Sequence, residues 1–88
     1  MEHKDFCVIV FESTHFAIAA ESLLKEKAYK IEIIPTPREI TASCGLSIRF
    51  EAQLSNEVQR EMKDGNIGIK GIYQMIKTEK GRGFKPIP

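Results

Sequence analysis

The sequence predicts an α+β fold: a ferredoxin-like β-α-β-β-α-β sandwich, with a four-stranded antiparallel sheet and two helices on one face. Three observations predict it. An apolar, β-branched run fills residues 5–11; apolar positions recur at helical spacing over 14–28 and again from Ser55; and strand-like runs at 29–34, 46–51 and 67–75 supply the remaining strands.

Residues 5–11 (Asp-Phe-Cys-Val-Ile-Val-Phe) are apolar at both parities, which describes a central strand covered on both faces. Ser13 follows as a helix N-cap. Phe16, Ala19, Ala20, Leu23 and Leu24 fall on one face of the first helix, while Glu21, Lys25, Glu26 and Lys27 fall mostly on the other. The second strand, 29–34, is stopped by Pro35 and Pro37, which have no backbone N–H to give. Leu46, Ile48 and Phe50 alternate with Ser47, Arg49 and Glu51, the pattern of a strand with one buried face.

Ser55 is placed to cap a second helix that turns Val58 and Met62 inward, and Gly65 is placed to end it in the left-handed conformation. Ile67, Ile69, Gly71, Tyr73 and Met75 alternate as a fourth strand. The glycines Gly65, Gly68 and Gly71 precede a strand and open no helix, so they read as a turn and a bulge, not as a phosphate loop. Residues 1–77 then form a single domain. Residues 78–88, with Gly81, Gly83, Pro86 and Pro88, read as an irregular basic tail.

Charge and cysteine usage narrow the functional classes. A formal net charge of +1, with 42% hydrophobic and 28% charged residues, is ordinary for a globular domain and makes no electrostatic case for nucleic acid. Lys77, Lys80, Arg82 and Lys85 read as a solvated end of the chain. The charged start Met1-Glu2-His3-Lys4-Asp5 leads straight into a short apolar run, so no signal peptide and no membrane span are expected, and a cytoplasmic location is. Cys7 and Cys44 are therefore expected as thiols, with no bridge between them. His3 and His15 stand apart and join no Cys/His cluster, so no metal and no cofactor are expected. A core this small makes a homodimer a possible means of burying further area.

The loop at 35–45 holds most of the chemical potential. Cys44 stands between Ser43 and Gly45, with Arg38 and Glu39 upstream. In a split βαβ arrangement the first two strands are parallel, so the end of the first strand, the start of the first helix and the loop after the second strand share one edge of the sheet. Cys44 is thereby expected near Ser13, Thr14 and His15. Free backbone N–H groups and the helix dipole favour a thiolate there, Arg38 or His15 could add to the effect, and Gly45 leaves the sulfur open to a partner. Cys7, inside an apolar strand, reads as a small hydrophobe. Glu12 is either a plain strand-end residue or a partner for a backbone donor of the cysteine loop, and Arg38 with Glu39 either an ion pair holding the loop or ligand contacts. No third group orients a hydrolytic triad.

The runs Val10-Phe11-Glu12-Ser13-Thr14-His15, Ile34-Pro35-Thr36-Pro37-Arg38-Glu39-Ile40, Ser43-Cys44-Gly45-Leu46 and Arg49-Phe50 together resemble a small bacterial domain family, once of unknown function, described as selenium/sulfur carrier protein-like. The resemblance covers about residues 5–76. It implies a carrier of sulfur or selenium on Cys44, with the site carried over at Cys44 and Gly45 and extended to Arg38, Glu39, Ser13 and Thr14. The chain departs from sulfur carriers with a Cys-Pro-x-Pro motif, because Gly45 stands where they have proline. The reading that follows is a shuttle more than an enzyme: Cys44 accepts sulfur or selenium from a donor protein, holds it as a persulfide or selenosulfide, and passes it to an acceptor enzyme. Two further readings are a small dimeric ligand-sensing module and a thiol redox sensor.

Overall fold

The two-sided apolar run becomes the middle strand of the sheet, β1 (Phe6–Phe11). A computed structural model describes residues 5–41, 45–79 and 81–87, with the backbone alone of Thr78 and Arg82. After β1 come α1 (Thr14–Glu26), β2 (Ile31–Pro35), β3 (Leu46–Glu51), a 3-10 turn (Ala52–Leu54), α2 (Ser55–Asp64), β4 (Ile69–Thr78) and β5 (Gly81–Ile87). The strands lie in the order β2-β3-β1-β4-β5, and every neighbouring pair is antiparallel.

The sheet thus has five strands, where four were expected. Residues 81–87, expected to be irregular, pair along β4 from Thr78↔Gly81 to Ile72↔Ile87. Glycine and proline lower the local strand preference of this segment, but an antiparallel edge strand needs only one paired side, and Pro86 is tolerated there.

Both helices pack on the face of β1 formed by Cys7, Ile9 and Phe11, where Ala17, Ala20 and Leu24 of α1 meet Val58 and Met62 of α2 over Ile48 and Phe50. Val8 and Val10 point to the other face and are still only 2% and 1% exposed. Two things cover them. Tyr73 lies over Gly71, the residue opposite Val10: a Cβ built on Gly71 would stand 3.4 Å from the tyrosine ring. The segment after β2 also folds onto this face, with Pro37 buried and Thr36 bonded to the buried Ser47.

The fourth strand divides its apolar residues between the faces. Val10 pairs with Gly71 but Phe11 with Ile69, so Lys70 is the extra residue of a bulge. Ile69 therefore packs against the helical core, while Gly71, Tyr73 and Met75 belong to the opposite face, correcting the single stripe expected of them.

Helix ends follow local chemistry. Ser13, extended at φ −157°, caps α1 and accepts from the Phe16 N–H at 3.4 Å. Each helix closes with a pair of bonds from the two residues past its cap: Ala28 to Lys25 and Tyr29 to Leu24 for α1, Asn66 to Lys63 and Ile67 to Met62 for α2. The left-handed residues are Ala28 (φ 66°) and Asn66 (φ 55°). α2 ends at Asp64 with Gly65 as its cap, as expected, but Gly65 has φ −87°, and the left-handed reversal falls one residue later, on Asn66, a residue that tolerates it. Ser55 begins α2 without capping it: the 3-10 turn makes Leu54 the cap, and the Ser55 hydroxyl accepts from Gln59 Nε2 at 2.9 Å.

Candidate functional site: a loop pinned between a helix start and a sheet groove

Thr36 and Gly45, the two ends of the stretch that holds Cys44, meet at their base. Thr36 N–H donates to the Gly45 carbonyl at 3.2 Å, and Thr36 Oγ1 lies 2.6 Å from Ser47 Oγ. A turn inside it forms as the N–H groups of Ile40 and Thr41 both donate to the Pro37 carbonyl. Two prolines, Pro35 and Pro37, stiffen the departing arm. Ser43 and Cys44 lie outside the described residues.

One flank of the base meets the start of α1. A Cβ built on Gly45 would stand 3.8 Å from Thr14 Oγ1, so the residue bonded to Cys44 lies against the first residue of the helix. Ser13 holds one backbone donor of that helix start, and the first turn carries no acidic side chain. His15 is exposed and meets the edge of the Phe16 ring, centroid to centroid 6.1 Å. Glu12 turns to Gly68: its N–H donates to the Gly68 carbonyl at 3.1 Å, and its carboxylate sits where a Cβ on Gly68 would fall.

The other flank walls a groove on the sheet face away from the helices. The groove has a volume of about 550 Å³, and Arg38 and Glu39 line it with Val8, Arg49, Met75 and Phe84. The sequence-predicted residues therefore fall into two groups. Thr14, Ser13 and Gly45 share the helix start, whereas Arg38 and Glu39 belong to the groove.

Arg49 was quoted only as part of a motif, and Glu32, Met75 and Phe84 did not stand out in the sequence. Arg49 pairs with Glu32 and lies 4.7 Å over the Phe6 ring, contacts that depend on the register of β1, β2 and β3. One signal did point to a second functional face: the even-numbered residues of β1 are as apolar as the odd, so something had to cover them.

Cys7 is fully buried, and burial, reinforced by Asp5, pushes its thiol above the usual range. It is a neutral core thiol near the end of β1 remote from Thr14. Among the described residues no group of three or more His, Cys, Asp or Glu is arranged to hold a metal ion, and no helix is long and apolar enough to cross a membrane.

Comparison with known proteins agrees with the quoted motifs. The family described as "Putative Se/S carrier protein-like" matches residues 6–74. An uncharacterised protein of the archaeon Methanocaldococcus jannaschii is 40% identical over 60 residues, which is 68% of this chain and 30% of that protein. The chain thus spans under a third of that relative's length. No solved structure matches.

Proposed function

Because the chain belongs to the Se/S carrier protein-like family, we propose that it carries sulfur or selenium as an adduct of Cys44, delivered by a donor protein and passed to an acceptor enzyme. The observation that carries this reading is the contact between Gly45 and Thr14, which ties the thiol's neighbour to the positive end of a thirteen-residue helix. An anionic sulfur gains there from free N–H groups.

The chemistry is displacement at sulfur. The Cys44 thiolate attacks the outer sulfur of a donor persulfide, a new S–S bond forms at Cys44 Sγ, the donor's S–S bond breaks, and the donor leaves as a thiolate. No net oxidation occurs, and the hydrogen stays on the transferred sulfur. Delivery repeats the step with the acceptor's thiolate as nucleophile. Selenium follows the same course. Such a step needs an exposed, partly ionised thiol and no deep pocket, which suits a shuttle of this size and a reducing, cytoplasmic setting.

We read the first four strands and the two helices as a ferredoxin-like unit with β5 added at its β4 edge; the order β2-β3-β1-β4 supports this. In that reading Ser43 gives the loop a small, polar approach to the thiol.

Intact-protein mass spectrometry after incubation with a cysteine desulfurase and cysteine tests the function. The expected adduct is one sulfur atom on the unaltered chain and on Cys7→Ala, absent from Cys44→Ser. An adduct that persists in Cys44→Ser, or none at all, sinks the carrier reading and turns attention to the ligand-sensing and redox-sensing alternatives.

A further inference from the structure

The two outermost strands of the sheet are unequally protected. β5 carries Lys85 and Pro86, and a lysine and a proline are common guards against pairing with another chain. β2 contains no lysine, its register with β3 is unbroken from Ile31 to Pro35, and its one charge, Glu32, is taken up by Arg49. The bond from the Thr36 N–H to the Gly45 carbonyl fixes which backbone groups β3 uses. Hydrogen-bonded positions alternate along an antiparallel ladder, so Ile34 and Glu32 bond to β3, whereas Ile31, Ile33 and Pro35 turn their backbone groups outward. Among the described residues no strand lies beyond β2 to receive them.

The helix above this edge adds a second observation. α1 packs over β3 and β2, and its Phe16 and Leu23 turn towards Gly68 and Gly65 on the α2 side. At about 100° per residue, Ile18, Glu21 and Lys25 fall on the opposite flank, over β2. Ile18 is 54% exposed, the most exposed large apolar side chain among the described residues. Beside it Lys25 Nζ lies 3.0 Å from Glu21 Oε2, so the flank holds one charge of each sign.

We propose that β2 pairs antiparallel with β2 of a second copy of this chain, joining the two sheets into one. A two-fold axis perpendicular to the sheet keeps the helices of both copies on the same face, and positions of equal parity then meet. Centred on Ile33, the axis sets Ile33 opposite Ile33, Ile31 opposite Pro35 and Glu32 opposite Ile34. Each outward N–H finds an acceptor: that of Ile33 meets the Ile33 carbonyl of the other copy, and that of Ile31 meets the Pro35 carbonyl. An axis on Glu32 would set two carboxylates directly opposite each other, and one on Ile34 would leave Ile33 facing Pro35, which has no N–H to return. The same symmetry lays the α1 flanks antiparallel over the joined strands. Ile18 is covered there by the other copy's helix, and a flank with both signs of charge does not repel its copy. A chain of 88 residues has a small core, so the added burial counts. The pairing stands independently of the carrier reading.

Sedimentation equilibrium under reducing conditions tests the association, and cross-linking tests the register. The unaltered chain should show a species of two chains whose share rises with concentration. Ile18→Glu should raise the Kd of that species about ten-fold, in line with lost apolar burial, while Ile76→Glu, at the other exposed large apolar side chain, on β4, should leave it unchanged. In a Cys44→Ser background, a mixture of Glu32→Cys and Ile34→Cys chains treated with diamide should form a disulfide-linked pair. These positions meet as a non-hydrogen-bonded pair with Cα atoms about 4.5 Å apart, within reach of a disulfide. Neither variant alone should cross-link, because each position is then offset from its copy by two residues. A chain that stays monomeric at every concentration, association weakened by Ile76→Glu and not by Ile18→Glu, or a mixture that fails to cross-link would each overturn the proposal. The cross-link needs no substitution on α1, so it decides the matter even if Ile18→Glu fails to fold.

Discussion

Thr36 and Ser47 share a hydrogen bond of 2.6 Å between their hydroxyl oxygens, and with it the thiol loop is fastened to β3 on the face opposite the helices. Ser47 is fully buried, so neither partner can be lost without consequence for the other.

Thr36→Val leaves the Ser47 hydroxyl buried without its partner and should destabilise the chain by about 1–3 kcal/mol. The double variant Thr36→Val/Ser47→Ala removes both polar groups and should be less destabilised than Thr36→Val alone. Urea unfolding checks the order, and strict additivity of the two substitutions would count against the bond. On the carrier reading, loosening the base also draws Gly45 away from Thr14. The rate at which iodoacetamide alkylates Cys44 at neutral pH should then fall.

Glu61 collects two partners from the end of α1. Tyr29 donates its hydroxyl to Glu61 Oε2 at 3.2 Å, and Lys27 Nζ lies 3.1 Å from Oε1. The hydrogen bond to Glu61, then its charge, raises Lys27 above 10.5; burial first, then its own hydrogen bond to Glu61, raises Tyr29 above 10.0. Both groups hold their protons more tightly in the folded chain. Their contribution is complete below the unfolded values and is lost as pH climbs through the raised folded ones. Thermal stability should therefore decline above about pH 10, and Glu61→Gln should flatten that decline while lowering stability near neutral pH. A thermal-denaturation series across that range decides it; an unchanged slope in Glu61→Gln would remove Glu61 from the account.

Ala28 adopts a left-handed conformation that its Cβ opposes. Ala28→Gly should raise stability by about 0.5–1 kcal/mol, the relief of strain less the larger chain entropy glycine loses on folding. Asn66→Gly should gain less, since asparagine accepts this conformation more readily. The urea midpoints of the two variants rank them, and a loss of stability in Ala28→Gly would show that entropy outweighs strain at this cap.

Several elements were legible because their signals are local. A serine before an amphipathic run made the start of α1 readable, and strict alternation did the same for β3. The end of α2 at Asp64 was legible, but its left-handed residue was misplaced by one because glycine is the commoner left-handed residue and the chain uses Asn66. The bulge at Lys70 shifts later residues to the other face, and a period-two count cannot register an inserted residue it has no partner strand to compare with. The candidate site was half legible: the Gly45 and Thr14 neighbourhood follows from chain order, while the placement of Arg38 along a groove does not.

The sequence by itself determined the α+β class, the central position of β1 and the helix whose start meets Gly45. These rest on hydrophobic periodicity and capping chemistry, both of which are properties of neighbouring positions. Only the tertiary structure decided that residues 81–87 complete a five-stranded sheet, that Thr36 and Ser47 close the loop, and that Val8, Met75 and Phe84 share a groove with Arg38. Each of these joins residues distant in the chain, and the free energy that selects them comes from pairing and burial that exist only once the strands have met.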